Sequence, residues 1–295
     1  MMDHKAFVSA LPAELREAMT ARSDGPGLRH LALHLGAILL VGGLIATAVP
    51  GWWALLPVQG VLIVFLFTLE HEATHRTPFA SARLNDEVGR AAGFLLLLPF
   101  EWFRYFHLAH HRWTNIDGKD PELLGGKPET LRAWLWHVSG LPYWWSGLRL
   151  MAALAAGRAE GDYLPEAAKP RIVAEARGMA VGYLVVGVGL IWSPLLWWVW
   201  ILPVLLGQPA LRLYLLAEHG DCPRVANMLQ NTRTTFTNRL MRFLAWNMPY
   251  HTEHHVWPAV PFHRLPEVHQ LMRDKLQVTA EGYAAFTKAY LERRL

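Results

Sequence analysis

The chain has 295 residues, is 53% hydrophobic, holds 14 tryptophans and carries a formal charge of only +4. Apolar residues this abundant, gathered in blocks, point to a membrane protein rather than a soluble domain. The small charge, with no basic stripe, excludes a nucleic-acid partner, and the single cysteine, Cys222, excludes an internal disulfide.

Residues 1–28 are polar, lack the apolar core of a signal peptide and read as a cytoplasmic N-terminal segment. The first apolar block, Leu31 to Val49, has only His34 and Thr47 as polar intrusions and as helix is about one hydrocarbon thickness long. Pro50-Gly51 marks a turn, and a second block of similar length runs from Trp52 to Leu69. The run Phe94 to Phe100 is too short to cross a bilayer. With the Trp-rich stretch Trp134 to Trp145 it reads as interfacial or as a cap on the bundle. A third block, Gly178 to Trp192, stops at Ser193-Pro194, and a fourth, Leu195 to Ala217, is long enough to span even with Pro203 inside it.

Every lysine and arginine lies before residue 30, between 70 and 177, or from 212 onward. Neither short outer turn carries one, so the bias toward a positive inside puts both termini and the long middle segment in the cytoplasm, at a bacterial inner membrane. Arg212, in the last turns of the fourth helix, then reaches toward that face. The expected fold is an all-α membrane protein, one domain over 1–295 with no internal repeat. It has four transmembrane helices in two hairpins (31–69 and 178–217) and a cytoplasmic helical cap from 70–177 and 218–295.

Of the 15 histidines, eight fall into three clusters. "HEATH" sets His71 and His75 at i and i+4, just beyond the second block. "HLAHH" sets His107, His110 and His111 at i, i+3 and i+4, and "HTEHH" repeats that spacing with His251, His254 and His255. Residues three and four apart share a helix face, so each cluster can aim its imidazoles at one point. All three clusters lie on the cytoplasmic side of the expected topology, and His219 in "AEHGDCP" closes the fourth helix at the same level. His4, His30, His137, His263 and His269 stand alone and read as ordinary polar residues. His34, inside the first block, satisfies a backbone carbonyl or lines a cavity.

Eight or nine imidazoles gathered without a cation would be expensive to desolvate. Neutral imidazole suits zinc, iron, copper and nickel, and one zinc ion takes about four ligands, so the count points to two metal ions. Glu72, Glu253, Asp117, Asp120, Glu218 and Asp221 are the carboxylates placed to accept the second imidazole proton, solvated loop charges being the alternative reading. Trp102, Trp113, Tyr250 and Trp257, beside the clusters, are candidates to line a substrate entry or to anchor the chain at the interface.

Clusters reading H-x-x-x-H, H-x-x-H-H and H-x-x-H-H after paired membrane helices resemble the membrane-bound fatty acid desaturase superfamily. That superfamily includes acyl desaturases and hydroxylases, carotenoid hydroxylases and alkane hydroxylases. The likeness extends from about His30 to His269, and "FRYFHLAHHRWTNIDGKDPE" and "NTRTTFTNRLMRFLAWNMPYHTEHHVWPAVPFHRLP" look like the segments around the second and third boxes of bacterial members. The resemblance implies a di-iron centre held by the eight box histidines, with His219 matching an extra histidine after the last membrane helix. It implies oxygen as co-substrate and oxidation of an unactivated C–H bond by desaturation or hydroxylation. Some acyl-CoA desaturases of this group carry an asparagine four residues before that extra histidine, where this chain has Leu215. No fused electron-transfer domain is expected, so a separate donor of ferredoxin, rubredoxin or cytochrome b5 type, with its reductase, is implied. A fatty acyl or lipid substrate is the default, with a carotenoid, an alkane or a small amino-acid-derived metabolite as alternatives.

Two other classes fit parts of the sequence. "HEATH" satisfies H-E-x-x-H, the motif of an intramembrane zinc metalloprotease, but that reading leaves the second and third clusters unused. A metal transporter would place polar groups at the bilayer midplane, yet residues 35–69 and 178–211 contain no charge and no histidine.

Overall fold

A computed structural model describes residues 3–294. It is helical nearly throughout; the strands are a two-residue parallel pairing of Thr234–Thr235 with Thr279–Ala280. Among the described residues four helical stretches are long and apolar enough to cross a membrane: Ala13–Ala46, broken at 21–23 so that Asp24–Ala46 is its long helix, Trp52–Thr74, Glu166–Trp192 and Trp197–His219. The connections fall where turn residues predict them, with Gly51 at φ 78° opening the second and Ser193 capping the third.

The helices do not end where the apolar blocks end. The second continues into "HEATH" as far as Thr74, so His71 is part of that helix and not beyond it, and the fourth runs on to His219. A helix satisfies its own backbone hydrogen bonds, so a change in side-chain polarity alone does not terminate it. The third begins at Glu166, well before Gly178, because its polar first turns find partners: Glu175 Oε2 accepts from the Glu101 backbone N–H at 2.7 Å.

The first and third helices expose most of their apolar side chains, among them Leu39, Leu40, Leu184, Val185 and Ile191. The second and fourth are the inner pair and cross through glycines. A Cβ built on Gly60 would lie 2.0 Å from the Pro203 carbonyl oxygen, and one on Gly207 would meet Gly60 backbone within 2.5 Å. Small residues at such a crossing allow two backbones to touch, as membrane helices commonly do. Both helices therefore run side by side in the same direction and deliver His71, His75 and His219 to one end.

That end is closed by Ala82–Leu96, Phe100–Trp113 and the C-terminal segments. The core there contains Leu66, Leu69, Phe79, Leu96, Phe103 and Phe262, with Trp246 fully buried. Phe100 packs into this layer rather than facing lipid. Leu131–Val138 and Leu141–Ala155 leave Leu135, Trp136, Trp145 and Leu148 exposed, as an interfacial pair of helices would. His34 is fully buried; its Nε2 donates to the Leu62 carbonyl at 2.8 Å and its Nδ1 accepts from Trp246 Nε1 at 3.2 Å.

Candidate metal centre

Two helices of the cap and the ends of the second and fourth spans bring all nine candidate histidines together. The Phe100–Trp113 helix supplies His107, His110 and His111. The His251–Val256 helix supplies His251, His254 and His255. Its entry is set by Trp246 and Asn247, both left-handed at φ 49° and 59°, with Asn247 Nδ2 donating to the Phe262 carbonyl at 3.1 Å.

The rings sort into two adjoining groups. His71, His75, His107, His111 and His254 each offer a ring nitrogen within 4.8 Å of the others, and so do His110, His219 and His255. His251 joins the second group, its Nε2 lying 3.1 Å from the Nε2 atoms of both His219 and His255. His111 and His255 stack at 4.0 Å between the groups. The sorting follows from helix geometry. Residues i and i+4 are about 40° apart around the axis, whereas i+3 and i+4 are about 100° apart. His107 and His111 therefore share one group while His110 turns to the other, and His251 and His255 pair while His254 turns away. An H-x-x-H-H helix lying between two sites serves both.

What the outward ring nitrogens do fixes what the inward ones can do. His110 Nδ1 donates to Asp120 at 3.0 Å, His219 Nδ1 to the Asn231 carbonyl at 3.1 Å, and His255 Nδ1 to Thr114 Oγ1 at 3.2 Å, the hydroxyl itself donating to the His110 carbonyl. His254 Nδ1 faces Glu72 Oε1 at 3.2 Å and His251 Nδ1 faces Glu218 Oε1 at 3.4 Å, both without good hydrogen-bond alignment. With the proton on Nδ1, each Nε2 presents a lone pair inward. Among the described residues, neither nitrogen of the buried His71 has a hydrogen-bond partner. Lone pairs about 3 Å apart repel unless a cation sits among them, so the donor set fits two divalent metal ions.

Charge states agree with this. Burial pushes the His75 and His254 imidazoles down to about 3. Burial, then the neighbouring histidines, also holds His107, His111, His251 and His255 well below the usual imidazole value. All are neutral at pH 7. At His110 burial lowers the pKa, but Glu122 and Asp120 outweigh it and the net shift is upward.

The carboxylates divide. Asp120 is buried; beyond His110 it accepts from the Asn115 N–H at 2.7 Å and the Glu122 N–H at 2.9 Å. Glu72 is buried, accepts from Thr77 Oγ1 at 2.9 Å and the Phe262 N–H at 3.1 Å, and so is committed to holding neighbouring chain as well as facing His254. Glu253 faces away from the rings and accepts from Thr234 Oγ1 at 2.6 Å and from His269, which ties the third cluster to the short strand. Asp117 and Asp221 do not join this shell: Asp117 is exposed and pairs with Arg224, and Asp221 pairs with Arg293 and Arg294. Chain position near a cluster does not tell which acid the loop turns inward.

A cavity of about 490 Å³ opens beside the second group. Its lining combines His71, His107, His110, His219 and His251 with Phe67, Trp102, Phe103, Phe106, Leu150 and Leu215. Of the aromatic residues expected near an entry, Trp102 lines this cavity. Trp113 instead packs under Arg112 and Lys119, Tyr250 against His269 and Arg242, and Trp257 in the core. Three of the lone histidines also have roles the sequence does not signal. His269 binds Glu253, His30 contacts the Phe243 carbonyl at 2.8 Å, and His137 lines the cavity. No spacing rule connects these to their partners, which are distant in sequence.

Comparison with known proteins gives a consistent picture. The profile of the family described as "Fatty acid desaturase" matches residues 50–287. An sn-1 oleoyl-lipid 12-desaturase of Picosynechococcus sp. is 30% identical over 37% of this chain, an alignment that spans about a third of that relative (35%). A Synechocystis sp. protein of the same name is 25% identical over 91% of this chain and 80% of its own. Beta-carotene 4-ketolase 3 of Haematococcus lacustris is 25% identical over 74% of this chain and 64% of its own.

Proposed function

The chain belongs to the fatty acid desaturase family, and we propose that it is an oxygen-dependent membrane oxidoreductase that desaturates or hydroxylates an unactivated C–H position of a fatty acyl or lipid chain. The observation that carries this reading is the convergence of nine imidazoles in two groups beside an apolar cavity at the ends of two membrane-length helices. His71, His75, His107, His111 and His254 would hold one iron, and His110, His219, His251 and His255 the other. When bound, the two irons supply oxygen activation and hydrogen removal from the chain, drawing two electrons from a separate donor of ferredoxin, rubredoxin or cytochrome b5 type.

The protein's own residues do the rest. Asp120, the Asn231 carbonyl and Thr114 hold three rings in the tautomer that points Nε2 inward. Burial of every one of these histidines but the half-buried His75 limits water at the reacting position. Phe67, Trp102, Phe103 and Phe106 form the wall against which an apolar chain lies in register with that position. The distribution of lysine and arginine supports a cytoplasmic position for this end of the molecule and for both termini. The protease reading needs one ligand beyond His71 and His75 and leaves most of the gathered imidazoles unused, and Glu72, its required base, turns Oε2 to Thr77 and the Phe262 N–H and Oε1 to His254. A carotenoid substrate is the second reading, favoured by the ketolase among the relatives.

The test is expression in a heterologous bacterium beside a His255→Ala control, with iron content measured on the purified protein and lipid profiles compared. Two irons per chain, and an unsaturated or hydroxylated acyl product absent from the control, are expected. One zinc per chain with no oxygen-dependent product would overturn the reading.

A further inference from the structure

Arg212 is a charge inside the fourth span, and the metal centre does not use it. It lines the cavity, its Nε donates to Gln208 Oε1 at 3.2 Å, and its guanidinium lies 4.6 Å from the Tyr143 ring centre. Among the described residues no carboxylate comes within 4 Å of it, and its terminal nitrogens have no partner. His137 lines the same cavity with a buried Nε2 that also lacks a partner, and Gln208 Nε2 behind them is unpaired too. Burial, helped by the Arg212 charge, pushes His137 down to about 4, so at pH 7 it is neutral and can offer an N–H. Glu122 and Glu218 line the same cavity and offset part of this charge through space, but neither pairs with it, so this end gathers donors with no acceptor in contact.

The fourth helix relates this group to the histidines. Arg212, Leu215, Leu216 and His219 all line the cavity, at the i, i+3, i+4 and i+7 spacing of one helical stripe. Seven residues of helix separate Arg212 from His219 by about 10 Å along the axis. Guanidinium favours carboxylate and phosphate oxygens, which it can grip with two parallel hydrogen bonds.

We propose that Arg212, with His137 beside it, binds the anionic head group of a chain-bearing substrate, a carboxylate or a phosphate ester, so that the chain runs from there toward His219. Which end of the ligand is oxidised rests on the metal reading above; the anion site itself rests on Arg212. A neutral polyene offers this end of the cavity nothing, so the site favours an acidic lipid over a carotenoid.

The experiment titrates the full-length protein in maltoside micelles with hexadecanoate, hexadecyl phosphate and hexadecanol. Tryptophan fluorescence reports binding, and iron content is measured on the same samples. An anion is expected to bind at least ten-fold more tightly than the alcohol. R212Q should weaken anion binding about ten- to hundred-fold, the loss of one charge-assisted contact, while leaving hexadecanol binding and iron content unchanged. A preference for hexadecanoate identifies a free acid as the source of the head group, and a preference for the phosphate a phospholipid. R212K, which keeps the charge without the fork, should fall between. Should R212Q melt well below the wild type, R212K and the wild-type ligand series carry the decision. Equal affinity for all three ligands, or unchanged anion binding in a well-folded R212Q, overturns the proposal. Anion binding by protein that takes up no iron would leave the anion site standing and remove the oxidative role.

Discussion

Replacing Gly60 by alanine tests whether the crossing of the two inner helices sets the spacing of the histidines. The added Cβ would stand 2.0 Å from the Pro203 carbonyl oxygen and 2.8 Å from the Gly207 nitrogen, where real Cβ contacts essentially never fall under 3.0 Å. The obstructing atoms are backbone, so no side chain can swing aside, and the helices must part by about 1 Å. His71 and His219 lie about three turns further along the same two helices. Metal–ligand distances tolerate only about 0.2 Å. Overpacking of this kind costs about 1–3 kcal/mol. Gly60→Ala should therefore lower the melting temperature in detergent and reduce bound iron below the wild-type ratio. Gly187→Ala in the third span, where nothing lies within 4 Å of the new methyl, should change neither. A Gly60→Ala protein with wild-type iron content and melting temperature would refute the idea that this crossing sets the site.

Asp120→Asn should lower iron affinity about 10- to 100-fold, or about 1.4–2.8 kcal/mol, because an amide cannot accept from His110 and two backbone N–H groups as a carboxylate does; unchanged metal titration would contradict its role. The metal-free protein should lose stability as pH falls below about 6.5. There the unfolded chain takes up protons that His75 and His254, held down to about 3, refuse, at about 1.4 kcal/mol per pH unit for each, with His110 opposing in sign. Melting temperatures between pH 7.5 and 5 check this, and a flat or rising curve toward acid would count against neutral buried imidazoles. Gly147→Phe, which fills the cavity beside Leu97, should abolish turnover of long chains at normal iron content, and product analysis showing wild-type rates would move the substrate path elsewhere.

The parts legible in the sequence are those whose physics is local. Ligand spacing of i, i+3 and i+4 is set by a single helix, so His107, His110 and His111 announce themselves, as do apolar runs long enough to cross a bilayer. What the sequence hides depends on contacts between distant segments. Asp117 and Asp120 lie in one loop with nothing local to distinguish them, yet Asn115 at φ 59° turns the chain so that only Asp120 meets His110. His269 looks like any lone histidine until the C-terminal segment folds back onto Glu253. Trp257 and Tyr250, flanking the third cluster, point into the core because the His251–Val256 helix has already turned its ligand face the other way.

The fourth span connects these features, because one rigid element carries three of them in order. Gly207 makes the crossing, Arg212 faces the cavity's donor end, and His219 stands at the second group of imidazoles. The Trp197–Ile201 stretch is wound as π-helix and Pro209 interrupts the ladder, but from Arg212 to His219 the helix is regular. Irregularity is thus confined to the part that packs against lipid and the second helix, and the segment between the proposed head-group site and the imidazoles is a rigid spacer. A substrate held by its head at one end of that spacer would present the same carbon to His219 whatever its length beyond. Under the two proposals above, the fold would select the position of oxidation by distance from the polar end, and the tail would be free to vary.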